Sequence, residues 1–264
     1  MGQKNKTMLF LLIAMVIVAA VAASFLLNII GPSAPAVVLP VTSAPGGTDD
    51  PNSAEGSDYF TPVEVTAETV QRVITTLSRP SNYARTVTIL TAIGGGEYAT
   101  DTARVWVDGV PDTTWPRWTK TALTKPTGRV EHSIIHETGE GEGTLYLWYG
   151  GDWEYRSYPA DQWSADLSQR IPTYEDVLAL DKASITDTGY EEKNGVPCIY
   201  VEVEKQELDY LQRYWIADSD GLLVAAETVK DGQAVIIASA SGMESTEETE
   251  FTLPDGTVLH RTSD

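Results

Sequence analysis

Six two-residue turn signals recur along the chain and restrict what it can fold into. They are Asp108-Gly109, Gly150-Gly151, Asn194-Gly195, Asp220-Gly221, Asp231-Gly232 and Asp255-Gly256. Asn-Gly and Asp-Gly suit the tight turns of β-hairpins, because the central residues of those turns need a positive φ. Short segments of alternating apolar and polar residues lie between these signals. The pattern therefore predicts an antiparallel meander.

The alternating segments predict the strands themselves. A first group lies at 83–90, 102–107, 117–123, 129–137, 144–149 and 153–158. A second group lies at 183–192, 198–205, 211–218, 222–230, 234–241, 248–253 and 257–261. We expect a curved antiparallel sheet, a half-barrel of roughly eleven strands. The only cysteine, Cys198, lies in the apolar run VPCIYVEV, which favours a buried strand position over a thiol nucleophile.

Helical patterns precede the sheet and interrupt it. In VTAETVQRVITTLSRP, an apolar stripe with helical spacing follows Thr66, a good N-cap, and the helix is expected to end at Arg79-Pro80. The stripe consists of Val70, Val73, Ile74 and Leu77. Between the two strand groups, residues 161–169 and 172–181 predict two short helices with Asp161 and Thr173 as caps. The predicted fold class is α+β.

One apolar segment, Met8 to Ile30, is long enough to cross a bilayer as a helix. A cleaved signal peptide is the alternative, because Ala20-Val21-Ala22 fits a small-residue cleavage pattern. The apolar run continues to Ile30, which favours an uncleaved anchor. Lys4 and Lys6 precede it, so the positive-inside rule predicts a single-pass protein of the cell membrane, with residues 1–7 cytoplasmic and residues 31–264 extracytoplasmic.

The remaining chain divides into a linker and one domain. Residues 31–58 are rich in Pro, Gly, Ser and Ala and predict a flexible tether, and the folded domain is expected at 59–264. The formal net charge of the chain is −20, which disfavours nucleic acid and anionic lipid headgroups as partners.

The order of elements in residues 59–260 resembles the LolA-like lipoprotein-carrier superfamily. The similarity lies in the opening helix TAETVQRVITTL leading into YARTVTIL, in the hairpin TLYLWYGGDWEYRSY, and in the closing meander with RYWIADSDGLLVAAET. The resemblance implies a half-barrel that either encloses an apolar cavity for acyl chains or offers a surface to a protein partner. A membrane helix departs from the carrier pattern and argues against shuttling between two membranes.

Two of the three histidines lie in EHSIIHE, which raises the question of a metal site. The zinc-protease pattern H-E-x-x-H is incomplete here, because the glutamate that acts as base is absent. The β-branched run predicts a strand, with His132, Ile134 and His136 on one face and Ser133, Ile135 and Glu137 on the other. The two histidines would then lie about 13 Å apart, too far to share one zinc easily. We expect no metal and no cofactor.

No complete catalytic motif occurs in the sequence, so we expect a protein that is not an enzyme. All seven tryptophans lie between Trp106 and Trp215. They are either ordinary strand-face packing or, in part, the lining of an apolar site. Our candidate ligand-binding residues are Trp148, Trp153 and Trp163.

Two functions remain open. The first is a membrane-tethered extracytoplasmic binding module for a lipid, an acyl chain or a lipoprotein. The second is a protein-interaction or regulatory module of the cell envelope without a small-molecule ligand. A cavity that could hold an acyl chain would favour the first function. A closed core with an exposed apolar patch would favour the second.

Overall fold

A computed structural model describes residues 64–109, 116–139, 142–160, 171–205, 209–244 and 249–262. The predicted anchor at 8–30, the tether at 31–58 and the helix at 161–169 lie outside these ranges. Within them, no helix is long and apolar enough to cross a membrane.

Eleven strands form one antiparallel sheet, which confirms the predicted sheet. The first six are β1 Asn82–Gly94, β2 Glu97–Asp108, β3 Arg117–Thr124, β4 Val130–Gly139, β5 Glu142–Tyr149 and β6 Arg156–Pro159. The other five are β7 Ile185–Lys193, β8 Val196–Lys205, β9 Tyr210–Ala217, β10 Leu223–Lys230 and β11 Gln233–Glu244. The sheet is open, because β6 and β7 form its two ends.

The strand order explains the long connection between β6 and β7. The order is β6-β5-β4-β3-β2-β1-β11-β10-β9-β8-β7, so each half of the chain is a meander and the halves join where β1 pairs with β11. Strands β6 and β7 follow each other in sequence but lie at opposite edges. The connection must therefore cross the sheet. Its described part, residues 171–184, packs against the face that we call the inner face.

Two of the six predicted turns have the positive φ at both central residues that the sequence predicted, and in the other four only the second residue, a glycine, has a positive φ. Asn194 and Gly195 between β7 and β8 have φ values of 55° and 78°, and Asp231 and Gly232 between β10 and β11 have 51° and 74°. Gly221, in the β9–β10 turn, has a φ of 65°, and a Cβ added there would lie 2.9 Å from the Leu77 Cβ. Glycine at this position lets the turn contact the segment that follows the first helix.

The first helix, α1 Val70–Thr76, is shorter than predicted. Thr66 is not its cap. Instead, Thr66 begins a turn in which the Thr69 hydroxyl accepts a hydrogen bond from the Thr66 N–H at 2.9 Å and donates one to the Glu64 carbonyl at 2.7 Å. Threonine side chains compete with helical hydrogen bonds in this way, so regular helix starts only at Val70.

The end of α1 also comes earlier than the predicted Arg79-Pro80. Leu77 has an extended backbone. Arg79 donates from Nη2 to the Ile74 carbonyl at 2.7 Å and thereby satisfies an acceptor at the helix end. Val70, Val73 and Ile74 are buried on the inner face as predicted, whereas Leu77 is only partly buried.

The second helix, α2 Tyr174–Leu178, lies beside α1 and confirms the prediction at 172–181. Thr173 is the N-cap residue, and its N–H donates to the Asp176 carboxylate at 2.8 Å. Gln71 of α1 donates from Nε2 to three carbonyls at the end of α2, those of Val177, Leu178 and Leu180. These bonds fix the two helices to each other over the sheet.

The opposite face of the sheet, the outer face, carries a small second sheet. Strands β12 Glu250–Thr252 and β13 Val258–Arg261 form this hairpin, which the sequence analysis had placed in the main meander. That expectation is wrong because β11 is already paired on both sides, with β1 and with β10. Phe251 and Leu253 are buried against Trp118 and Ile134 instead.

Candidate functional site

The inner face is largely filled, and two small cavities lie beside residues 171–176. One, of about 70 Å³, lies between strands β1–β4 and the start of α2. The other, of about 220 Å³, lies over β9–β11. Pockets for drug-sized ligands usually have about 300–1,000 Å³. Neither of these two cavities reaches that size.

A buried ion-pair network closes the smaller cavity. Arg117 on β3 donates to both carboxylate oxygens of Glu137 on β4, at 2.5 and 3.0 Å, and to Glu175 on α2 at 2.5 Å. Burial alone would lower the pKa of Arg117, but the two carboxylates outweigh it and the pKa is raised. The guanidinium therefore stays charged and connects α2 to the sheet.

The two histidines of EHSIIHE lie on the outer face of strand β4, as predicted. The His136 ring stacks on Trp118 at 3.7 Å, and His260 of β13 stacks on the same indole at 5.0 Å. His132 stacks on Trp148 at 5.2 Å. Burial is the main cause that lowers the pKa of both His132 and His136. In this environment, the rings act as aromatic packing groups.

Metal ligation and thiol chemistry find little support in the described residues. No group of three or more His, Cys, Asp or Glu side chains is placed there to hold a metal ion. Cys198 is buried in β8, and burial raises the pKa of its thiol to about 12. The thiolate that a nucleophile requires is therefore disfavoured.

Exposed aromatic side chains concentrate at the β5–β6 edge of the sheet. Among the described residues, seven large apolar side chains are exposed, and four of them lie between residues 149 and 158. We define the edge aromatic surface as Trp148, Tyr149, Trp153, Tyr155 and Tyr158. Trp153 is 79% exposed, the largest value of the seven. Such a cluster on a solvent-exposed face is typical of a binding surface.

The local backbone and its side-chain contacts keep the edge aromatic surface exposed. The sequence predicted a strand at 153–158, but β6 begins only at Arg156, because residues 150–155 form a wide turn after Tyr149. The Tyr155 ring packs against Tyr146 at 5.9 Å, and the Arg129 guanidinium covers the Tyr149 ring at 3.6 Å. The turn thus projects Trp153 into solvent while its neighbours are supported by the sheet.

A groove of about 550 Å³ runs along the edge aromatic surface. Its lining combines aromatic rings with three acids, Glu131, Asp152 and Glu154, and one base, Arg156. The excess of carboxylates beside electron-rich rings favours a cationic partner group. The groove is also bordered by β6, the end strand of the sheet.

The structure separates the three predicted site residues. Trp148 lines the groove, and Trp153 lies in the turn beside it. Trp163 lies outside the described residues. None of the five described tryptophans lines either of the two cavities beside residues 171–176. Their indoles pack on the outer face or project from the edge of the sheet. The candidate site residues did not include Tyr149, Tyr155 and Tyr158, although YGGDWEYRSY places them close together.

No protein-family model and no curated protein matches the sequence. Solved structures match it, among them a DUF1329 family protein from Desulfovibrio piger, at 11% identity and a TM-score of 0.34, over 68% of this chain and 90% of that one. A putative outer membrane lipoprotein-sorting protein domain from Vibrio parahaemolyticus matches at 12% identity and a TM-score of 0.39, over 70% and 96%.

A third match is the MucA/MucB complex of Pseudomonas aeruginosa, at 13% identity and a TM-score of 0.38, over 67% of this chain and 54% of that chain. This chain therefore spans about half of that protein.

Proposed function

We propose that this protein is a membrane-tethered, extracytoplasmic module that binds a protein partner of the cell envelope through the edge aromatic surface. The concentration of exposed aromatic side chains between Tyr149 and Tyr158 carries this proposal. Tryptophan and tyrosine are enriched among the residues that dominate binding energy in protein interfaces, because they bury a large area at a small cost in conformational entropy.

The inner face supports a protein partner better than an acyl chain. Its core cluster packs between the helices and the sheet, and the two cavities beside residues 171–176, of about 70 and 220 Å³, are small. The groove of about 550 Å³ lies in the size range of ligand sites, but three acids and one base are among its lining residues. Such a groove suits the side chains of a peptide segment.

The chemistry of the groove specifies the partner segment. Glu131, Asp152 and Glu154 outnumber Arg156, so a lysine or arginine side chain would gain both ion pairing and contact with the rings. Strand β6 has only four residues and ends at Pro159, which has no N–H to donate. We therefore propose an extended, basic segment that docks on side chains, with little strand addition.

We infer the tether from the sequence. Met8 to Ile30 would anchor the chain, and Lys4 and Lys6 would keep its first residues in the cytoplasm. Residues 31–58 would let the domain reach partners near the same membrane. The mature protein from the membrane fraction should still contain Lys4. A mature chain that begins at Ala23 or Ser24 would refute the anchor.

Binding of two designed octapeptides to the full chain in a non-ionic detergent tests the partner proposal. Alternating Lys-Leu peptide should bind and shift tryptophan emission, whereas alternating Glu-Leu peptide should not. Trp153→Ala should weaken the binding about tenfold or more, the effect of a hot-spot residue. Ile93→Ala is the matched control, because Ile93 is also exposed, at 63%, but lies on β1.

A lipid or lipoprotein acyl chain is the second candidate function. The observation in its favour is that Ile171 lines both inner-face cavities, so a shift of this segment would join them. Palmitate is the probe for this arm of the experiment. If palmitate binds and the Lys-Leu peptide does not, the lipid function replaces the protein partner. If neither binds, both proposals fail.

A further inference from the structure

A buried arginine lines the smaller inner-face cavity and has no ion-pair partner among the described residues. Arg85 on β1 is only 6% exposed. Its Nη1 donates to the Leu223 carbonyl at 3.1 Å, whereas its Nε has no hydrogen-bond partner. Among the described residues, no carboxylate lies within ion-pair distance of it. A buried guanidinium in this state is costly, because burial removes the water that would otherwise solvate the charge.

The geometry of the guanidinium defines what would pair with it. With Nη1 engaged by Leu223, no described residue accepts a hydrogen bond from the Nε and Nη2 edge. The two N–H groups of that edge point in parallel and match the two oxygens of a carboxylate. The second arginine of the cavity, Arg117, is already paired with Glu137 and Glu175. Arg85 is therefore the cation available to a ligand.

The other walls limit the rest of the ligand. Apolar side chains form part of the lining: Val105, Val107, Ile135 and Ile171. Four lining residues carry hydroxyl groups: Tyr83, Thr119, Thr121 and Thr173. Burial raises the pKa of Tyr83, so its hydroxyl keeps its proton and can donate. A water molecule needs about 10–15 Å³, so about 70 Å³ holds roughly five to seven atoms of that size.

We propose that this cavity is a binding site for a small free monocarboxylate of about propionate size, held by the Nε and Nη2 edge of Arg85. The carboxylate would pair with the guanidinium, and the short alkyl group would contact the valine and isoleucine walls. This site is separate from the edge aromatic surface, and its ligand differs from a long acyl chain in size.

Thermal unfolding and calorimetric titration of the full chain in detergent test the proposal, at constant ionic strength. Propionate should raise the melting temperature in a saturable way, because a ligand that binds only the folded state stabilises it. Propionamide has nearly the same shape but no charge and should have no effect. Arg85→Met should weaken propionate binding at least tenfold, and Arg129→Met, with its guanidinium on Tyr149, should bind like the parent.

Arg85→Lys provides a second variant, because lysine keeps the charge but loses the two parallel donors. It should bind propionate more weakly than the parent protein does. Equal responses to propionate and propionamide would overturn the proposal. So would an affinity that Arg85→Met leaves unchanged, or the absence of any saturable response, which would mean that only water occupies the cavity.

Discussion

Replacement of Arg117 by methionine tests whether the buried ion-pair network stabilises the domain. The Arg117 and Glu137 side chains are 10% and 4% exposed, and that of Glu175 is 17% exposed. Arg117→Met keeps a long side chain but leaves two carboxylates without their cation. Removal of one partner from a buried pair typically costs about 3–5 kcal/mol. We expect a loss in this range, a large part of the roughly 5–15 kcal/mol that stabilises a typical domain.

Urea unfolding, followed by tryptophan emission, measures this loss as a lower midpoint at an unchanged slope. Arg213→Met is the matched control, because Arg213 is 36% exposed in its pair with Glu202 and should lose no more than about 1 kcal/mol. A triple variant that also carries Glu137→Gln and Glu175→Gln should recover much of the loss, since the network then leaves no unpaired carboxylate charge. A loss below about 1 kcal/mol for Arg117→Met alone would refute the reasoning.

Three further predictions concern the helix, the histidines and metal. Ile74→Ala should lower the free energy of unfolding by about 2–5 kcal/mol, and Leu77→Ala should lower it clearly less, because Ile74 is fully buried and Leu77 only partly. Equal losses of the two variants in urea unfolding would contradict the packing of α1. The pKa values of His132 and His136 are lowered from 6.5, so the unfolded chain binds more protons just below that value and the free energy of unfolding should fall as the pH drops through about 6.5. A His132→Gln/His136→Gln variant should lose part of this pH dependence. If its free energy of unfolding varies with pH as that of the parent protein does, the prediction is wrong. Neither a chelator nor that variant should change the melting temperature through metal loss, and stoichiometric zinc in the purified protein would show otherwise.

Much of the local structure could be predicted because it depends on neighbours in sequence. Asn194-Gly195 and Asp231-Gly232 adopt the positive φ that their turns need, so the hairpins that they close were predictable. The alternation around His132 and His136 likewise fixed their common face. The limits of α1 were less predictable, because the Thr69 and Arg79 side chains compete for the backbone groups at its ends.

The edge aromatic surface was predictable only in part. Sequence reasoning selected Trp148 and Trp153, but exposure depends on where β6 begins and on its place at the end of the sheet. A strand over residues 153–158 would have placed successive side chains alternately on the two faces of the sheet. The turn that replaces its first half projects Trp153 outward instead.

The sequence by itself determined most of the strands, the tight turns at Asn194-Gly195 and Asp231-Gly232 and the common face of His132 and His136, because these follow from residues within a few positions of one another. Only the tertiary structure decided that β1 pairs with β11, that the chain crosses the inner face at residues 171–184, and that β12–β13 covers the outer face. It also brought Arg85 and Arg117, which are 32 positions apart in the sequence, to one cavity beneath Tyr174. Contacts between residues so far apart in the sequence depend on how the whole sheet buries its apolar faces, so a local sequence pattern cannot predict them.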